Sequence, residues 1–169
     1  GMIVSTMGYL LRSRVGEDIA IFGATVGVAT LTGAVLGVRW IASLVGAPAL
    51  GALGDRFGRG TTAAVYFVTG GVALLLVSVT TGVPALVVGV ATFLVCATGI
   101  QVLLYAEAGV RGSRAIVAFV TGADLGGASG PLLAWSVVQT DLPQASIPLI
   151  GGVLYLLGAA LVRWALRPN

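Results

Sequence analysis

Long apolar runs, each ended by a short polar segment, form the dominant pattern of the chain. The polar segments contain arginine, glycine, proline or an acidic residue, and most of the runs extend for about 20 residues, the length that an α-helix needs to cross a hydrocarbon core of about 30 Å. The pattern predicts transmembrane helices over residues 30–53, 62–81, 84–105, 115–139 and 147–166, preceded by a partial span over 2–11.

The two N-terminal assignments depend on length. Residues 2–11 would make a helix of only about 15 Å, half of the hydrocarbon thickness, so we expect the tail of a span whose start is missing. Residues 19–53 are apolar throughout, and as one helix they would measure about 52 Å, too long for one untilted span and too short for two spans and a turn. We therefore begin the second span at Thr30, with an outer extension before it.

Composition identifies the solvent in which these helices are stable. Hydrophobic residues make up 57% of the chain and charged residues 9%, with a mean hydropathy of +1.06, whereas a soluble domain has about 25% charged residues. The prediction is an all-α integral membrane protein, a single domain over 1–169 with about six spans. Histidine is absent and Cys96 is the only cysteine, which excludes Cys/His metal sites and histidine acid–base catalysis, and we expect no cofactor.

The basic residues indicate an orientation. All nine are arginines, and they lie mainly at the ends of the predicted spans, so the pattern favours a topology signal over a nucleic-acid surface. Most fall in the loop after the second span, the loop after the fourth span and the C-terminal tail. By the positive-inside rule, these segments lie in the cytoplasm. We expect a bacterial-type cytoplasmic membrane and a cytoplasmic C-terminus.

Between the second and third predicted spans the chain reads GALGDRFGRG, residues 51–60. This stretch resembles the loop signature of the major facilitator superfamily, which joins the second and third helices of a six-helix half. The resemblance implies half of a transporter, with Asp55 and Arg59 latching the loop to the neighbouring half, and Gly60, which replaces a usual basic residue, weakening that latch. The residues that match are Gly51, Leu53, Gly54, Asp55, Arg56, Gly58 and Arg59.

Physical chemistry gives the same stretch a simpler role. About eight residues would have to reverse the chain, which the glycines permit, and Asp55 could accept hydrogen bonds from exposed N–H groups at a helix start. Arg56 and Arg59 would then face lipid headgroups or the last carbonyls. An ordinary polar turn that carries positive-inside charge is the alternative to a functional motif.

The fifth predicted span contains a second informative stretch, TGADLGGASGP, residues 121–131. Gly122, Gly126 and Gly130 recur at every fourth position before Pro131, and this spacing predicts a smooth ridge for close helix packing. The run also resembles, in part, the fifth-helix signature of antiporter members of the same superfamily. The opposite side of the helix has Thr121, Asp124 and Trp135.

Two charged residues fall within predicted spans. Asp124 lies about 15 Å along the fifth span from Arg114, near mid-bilayer, where an ionised carboxylate is costly unless it is paired or hydrated. Arg39 lies about 21 Å from the cytoplasmic end of the second span, on one face with Thr32 and Ser43. A direct ion pair between Arg39 and Asp124 would require the long arginine side chain to extend toward the cytoplasmic end. For both residues, a structural hydrogen bond or ion pair inside the bundle is the alternative to a role in a cavity.

The fourth predicted span has a polar stripe at Thr98, Gln101 and Tyr105, which indicates either cavity lining or interhelical hydrogen bonding. Glu107 follows in the predicted loop, where it reads as a solvated acid.

The resemblance implies proton-coupled export of a small organic molecule by the C-terminal half of a major facilitator transporter. The substrate and proton pathway would include Asp124 as the proton carrier, Arg39 as a charge partner or anion contact, and the polar residues Thr121, Gln101, Tyr105 and Ser43. The expected partners are the substrate, protons, the lipid bilayer and a second six-helix half, with no nucleic acid. A non-transporting scaffold or receptor is the alternative. A membrane-embedded enzyme is disfavoured because the spans contain one aspartate and no histidine.

Overall fold

The computed structural model describes residues 1–15, 18–21, 24–140 and 142–165. This part of the chain is a bundle of helices. Five helical segments are long and apolar enough to cross a membrane when α2 and α3, joined by a helical turn, are counted as one 30-residue segment. The helices are α1 (Met2–Val15), α2 (Val28–Ile41), α3 (Ala47–Phe57), α4 (Arg59–Val79), α5 (Val83–Arg111), α6 (Ser113–Val138) and α7 (Ser146–Ala165).

The segment before the second span is a β-ribbon, where the sequence predicted an outer extension of the apolar run. Strand β1 (Asp18–Ile21) pairs antiparallel with β2 (Ala24–Gly27), and Ile19 lies opposite Val26. The β-branched residues of the two strands favour extended backbone. The ribbon is therefore a small exception to the predicted all-α fold.

A π-helical turn, Ala42–Gly46, interrupts the second span between α2 and α3. Pro48 occupies the first turn of α3. Because proline has no N–H and its ring clashes with the carbonyl four residues earlier, at Leu44, the helix must widen at this point. This irregularity was not predicted, although Pro48 was the signal for it.

The helices pack in defined pairs. The central helix α4 packs along both α5 and α7, while α1 packs on α6 and α2 on α5. One hydrophobic core joins parts of several helices at the end of the bundle opposite the GDRFGRG stretch. Its buried residues include Met7, Leu10, Leu11, Leu74, Val77, Leu86, Val90, Leu94 and Ile147.

Glycine pairs allow α4 and α7 to approach closely. A Cβ atom at Gly152 would lie 3.0 Å from the carbonyl oxygen of Gly71 and 2.9 Å from the Leu75 side chain. One at Gly158 would lie 2.7 Å from the Phe67 ring. Small residues at such a crossing bring two backbones into van der Waals contact, which is the main source of helix association in lipid.

Candidate functional site

Most of the GDRFGRG stretch is helical. Helix α3 continues to Phe57 and α4 begins at Arg59, so Gly58 alone separates them. Its φ of +88° lies in the region that favours glycine. The prediction of a loop of about eight residues is therefore wrong: one glycine reverses the chain, and Gly51, Gly54, Asp55 and Arg56 belong to the preceding helix.

The motif glycines Gly51 and Gly54 pack against α5. A Cβ atom at Gly54 would overlap the Leu103 side chain, and one at Gly51 would lie 3.3 Å from Val102. Gly54 is buried as well. Close helix packing therefore accounts for glycine at these two positions.

The charged residues of the motif form a network with the end of α5. The Arg59 guanidinium lies 3.4 Å from the Asp55 carboxylate and 3.8 Å from that of Glu107, and it donates a hydrogen bond of 3.4 Å to the carbonyl of Ala106. Glu107 also pairs with Arg111 at 3.0 Å. The network thus joins the α3–α4 turn to α5.

Glu107 was wrongly predicted to be a solvated loop acid. It lies on α5, which continues past Tyr105 to Arg111, and its side chain is 25% exposed. Its spacing of four residues from Arg111 was a signal for a helical ion pair, whereas its contact with Arg59 depends on helix packing.

The other charged motif residues have local partners. No side chain caps the first turn of α4, so the N–H groups of this helix start do not donate the expected hydrogen bonds to Asp55. The guanidinium of Arg56 instead lies over the Phe57 ring, 5.4 Å from its centroid. Arg56 and Phe57 are both exposed.

The glycines of α6 differ in their surroundings. A Cβ atom at Gly130 would lie 2.7 Å from the Met2 amide nitrogen, and the Pro131 ring lies close to Gly1, so this end of the predicted ridge packs on the start of α1. A Cβ atom at Gly122 or Gly126 would have no heavy atom within 4 Å in the described part of the chain. Contact of these two glycines with another helix stays a prediction.

Asp124 and Arg39 both lie on exposed surfaces, Asp124 on α6 and Arg39 near the end of α2. Within the described ranges, neither side chain forms an ion pair or a hydrogen bond with the other. The glycines of α2 at positions 33 and 37 likewise have open space beside them. The second and fifth spans therefore each present an uncovered face that contains an ionisable residue.

The remaining predicted pathway residues are distributed over three elements. Ser43 is exposed in the π-helical turn, Thr121 is exposed on α6, and Gln101 is exposed on α5. The Tyr105 ring packs edge-on against Phe119 of α6, with centroids 4.6 Å apart.

Thr98 is buried, and its hydroxyl donates to the Leu94 carbonyl. The predicted polar stripe on α5 thus contains one residue inside the bundle and others on its surface.

An open cleft of about 810 Å³ lies where α1, α6 and the start of α2 meet. Tyr9 and Trp135 form one wall, with ring centroids 6.4 Å apart, and Arg12 and Thr32 also line the cleft. The described residues include no cluster of histidine, cysteine, aspartate or glutamate that could hold a metal ion.

No family model, no curated protein and no solved structure matches the chain.

Proposed function

We propose that this chain is one six-span half of a transporter of the major facilitator type, which moves a small molecule when paired with a second half. The main observation in support of this proposal is the position of Asp124. It is exposed on an apolar helix, and it has no ion-pair or hydrogen-bond partner in the described part of the chain. An ionised carboxylate that faces lipid costs several kcal/mol, so this face requires water or a polar partner across it. A second half enclosing an aqueous cavity would supply both.

The helix pairs support this interpretation. If the first three spans and the last three are related by an inverted repeat, the first span corresponds to the fourth, the second to the fifth and the third to the sixth. In this chain the six spans are α1, α2 with α3, α4, α5, α6 and α7. The contact between the first and fifth spans (α1–α6) then corresponds to the contact between the fourth and second (α5–α2). The contact between the third and sixth spans (α4–α7) corresponds to itself. These pairs are all in contact.

The charge network at the α3–α4 turn is consistent with the same type of transporter. It fastens the turn to α5 through Arg59 and Glu107, while Asp55 stays 70% exposed. In the proposed assembly, the exposed carboxylate is available to the neighbouring half, as the resemblance implies for this motif.

The proposed mechanism is proton-coupled export by alternating access. Asp124 takes up a proton when its face is open to one side of the membrane and releases it when the two halves rock and open it to the other. Arg39, on the second exposed face, contributes a positive charge to the cavity, either for the carboxylate or for an anionic group of the substrate.

Asp124→Asn tests the mechanism, because it keeps the shape of the side chain and removes its titration. In proteoliposomes of the assembled transporter, we expect substrate-driven proton movement to be abolished while substrate binding persists. Asp55→Asn is the matched control within this chain, since it removes a carboxylate at the helix end, and it should leave the coupling stoichiometry unchanged.

Proton flux at the wild-type level in the Asp124→Asn protein would contradict the assigned role. The double change Asp124→Asn and Arg39→Gln separates transport from the scaffold alternative. If it altered thermal stability and nothing else, a non-transporting scaffold would be favoured.

A further inference from the structure

A polar cavity of about 420 Å³ lies at the end of the bundle opposite the Arg59–Glu107 network. It is formed by the end of α1, the end of α4 and the segment before α7. Its described lining consists of Ser13, Arg14, Ser78, Thr80, Thr81, Gln144 and Ala145. In so apolar a chain, a cavity with six polar residues in its described lining requires an explanation.

Arg14 is half-buried beside this cavity without a carboxylate partner in the described part of the chain. Its Nη2 donates a hydrogen bond of 2.7 Å to the carbonyl of Val77, near the end of α4. Its Nη1 is buried and has no hydrogen-bond partner. An arginine remains charged at any physiological pH. Among the described residues, this cation has no counter-ion.

The other lining groups identify the type of ligand that would complete the site. The hydroxyls of Ser13, Ser78 and Thr80 already donate to carbonyls one turn earlier in their helices. Thr81 and Gln144 add a hydroxyl and an amide at the exposed rim. Arg14, Thr81 and Gln144 together present hydrogen-bond donors around one positive charge, which suits a tetrahedral oxyanion.

We infer that this cavity binds the phosphate group of an anionic phospholipid, with Arg14 as the central contact. The cavity lies at the end of α4 and beside the start of α7, two helices long and apolar enough to cross a membrane. The ends of such helices reach the level where headgroups meet the hydrocarbon core. A guanidinium pairs with phosphate more favourably than an ammonium does, because its donors are arranged in a planar fork. The bound lipid would tie α1 to α4 and to the start of α7. This site is independent of the proposed transport function.

The test measures lipid binding to the purified protein in a neutral detergent by native mass spectrometry. Phosphatidylglycerol is the anionic probe, phosphatidylcholine is the probe without net charge, and inorganic phosphate is the soluble probe. We expect phosphatidylglycerol to bind about tenfold more tightly than phosphatidylcholine and to raise the unfolding temperature more. Binding of inorganic phosphate with the same dependence on Arg14, and no preference among lipids, would instead identify a site for free phosphate and overturn the lipid assignment.

Arg14→Gln should abolish the preference for phosphatidylglycerol, and Arg14→Lys should recover part of it. Arg163→Gln is the matched control, since it removes an exposed arginine from the last turn of α7. If Arg14→Gln does not fold, Gln144→Leu changes an exposed rim residue and should weaken phosphatidylglycerol binding by about threefold. Arg14 would be only a cap for α4 if Arg14→Gln lowered the unfolding temperature but kept the full lipid preference. That result, or full binding in Gln144→Leu, would refute the site.

Discussion

At the scale of single residues, Glu107 shows how the fold changes the meaning of a charge. In the sequence it follows an apolar run and looks like an ordinary loop acid. In the fold, its carboxylate lies between Arg59 and Arg111, and its side chain is only 25% exposed. Partial burial strengthens both ion pairs, because less water screens them. Glu107 is therefore one of the residues, with Ala106 and Leu103, through which α5 contacts the GDRFGRG stretch.

Glu107→Gln should lower the unfolding temperature of the chain in detergent by about 2–4 °C, which corresponds to about 1 kcal/mol for a chain of this length. The change leaves the shape of the side chain intact and removes the charge that both arginines contact. Asp55→Asn is the control, because the Asp55 side chain is 70% exposed and contacts one arginine. An equal loss for the two variants, or a loss unaffected by 1 M salt, would show that the network adds no specific stability.

At the scale of helices, the positions of glycines decide which pairs pack closely. The contact between α4 and α7 depends on two adjacent pairs, Gly70 with Gly71 and Gly151 with Gly152, where added side-chain atoms would meet backbone or buried side chains. In α6, by contrast, Gly122 and Gly126 have open space. The same residue type therefore marks a helix crossing in one place and an uncovered face in another.

Gly152→Val should destabilise the chain strongly, by about 1–3 kcal/mol, because the new side chain has no room between α7 and α4. Gly33→Val adds the same atoms to α2 at a position where a Cβ atom has no neighbour within 4 Å. Thermal unfolding of the two purified variants in detergent measures the difference. Similar unfolding temperatures would mean that α4 and α7 do not pack through these glycines.

At the scale of the whole molecule, the bundle has two polar ends and an incomplete lateral surface. The arginines at positions 56, 59 and 111 lie at one end, with the Arg59–Glu107 network, and Arg14 lies at the other. The positive-inside rule predicts that the first end is cytoplasmic. The uncovered faces of α2 and α6 lie between these ends, where the proposed second half would pack.

Labelling of single introduced cysteines tests this orientation. Gly109→Cys lies at the predicted cytoplasmic end, in open space, and Gly82→Cys is exposed at the opposite end. In intact cells, a membrane-impermeant thiol reagent should label Gly82→Cys and not Gly109→Cys, and the native Cys96 should stay unreacted because it is buried. The reverse labelling pattern would invert the topology.

Several parts of the fold and of the candidate site could be predicted from the sequence. The five long helices overlap the predicted spans, because the bilayer requires runs of about 20 apolar residues and every backbone group in them must bond within its own helix. Asp124 and Arg39 are both exposed, and their predicted role in a cavity stays a prediction. The positions of the helices depend on the pattern of apolar residues along the chain and on the membrane environment, and a single sequence indicates both.

The tertiary structure alone decided how these helices contact one another. Whether a glycine packs or lies open, as at Gly152 and Gly126, depends on which helix lies opposite, and a helical period contains no information about that neighbour. The pairing of Glu107 with Arg59 joins residues on different helices, and the cavity at Arg14 gathers three chain segments. Sequence by itself determined the approximate positions of the long apolar helices, because those depend on hydrophobicity summed along the chain. Packing partners and charge pairs depend on distances in space between segments far apart in sequence.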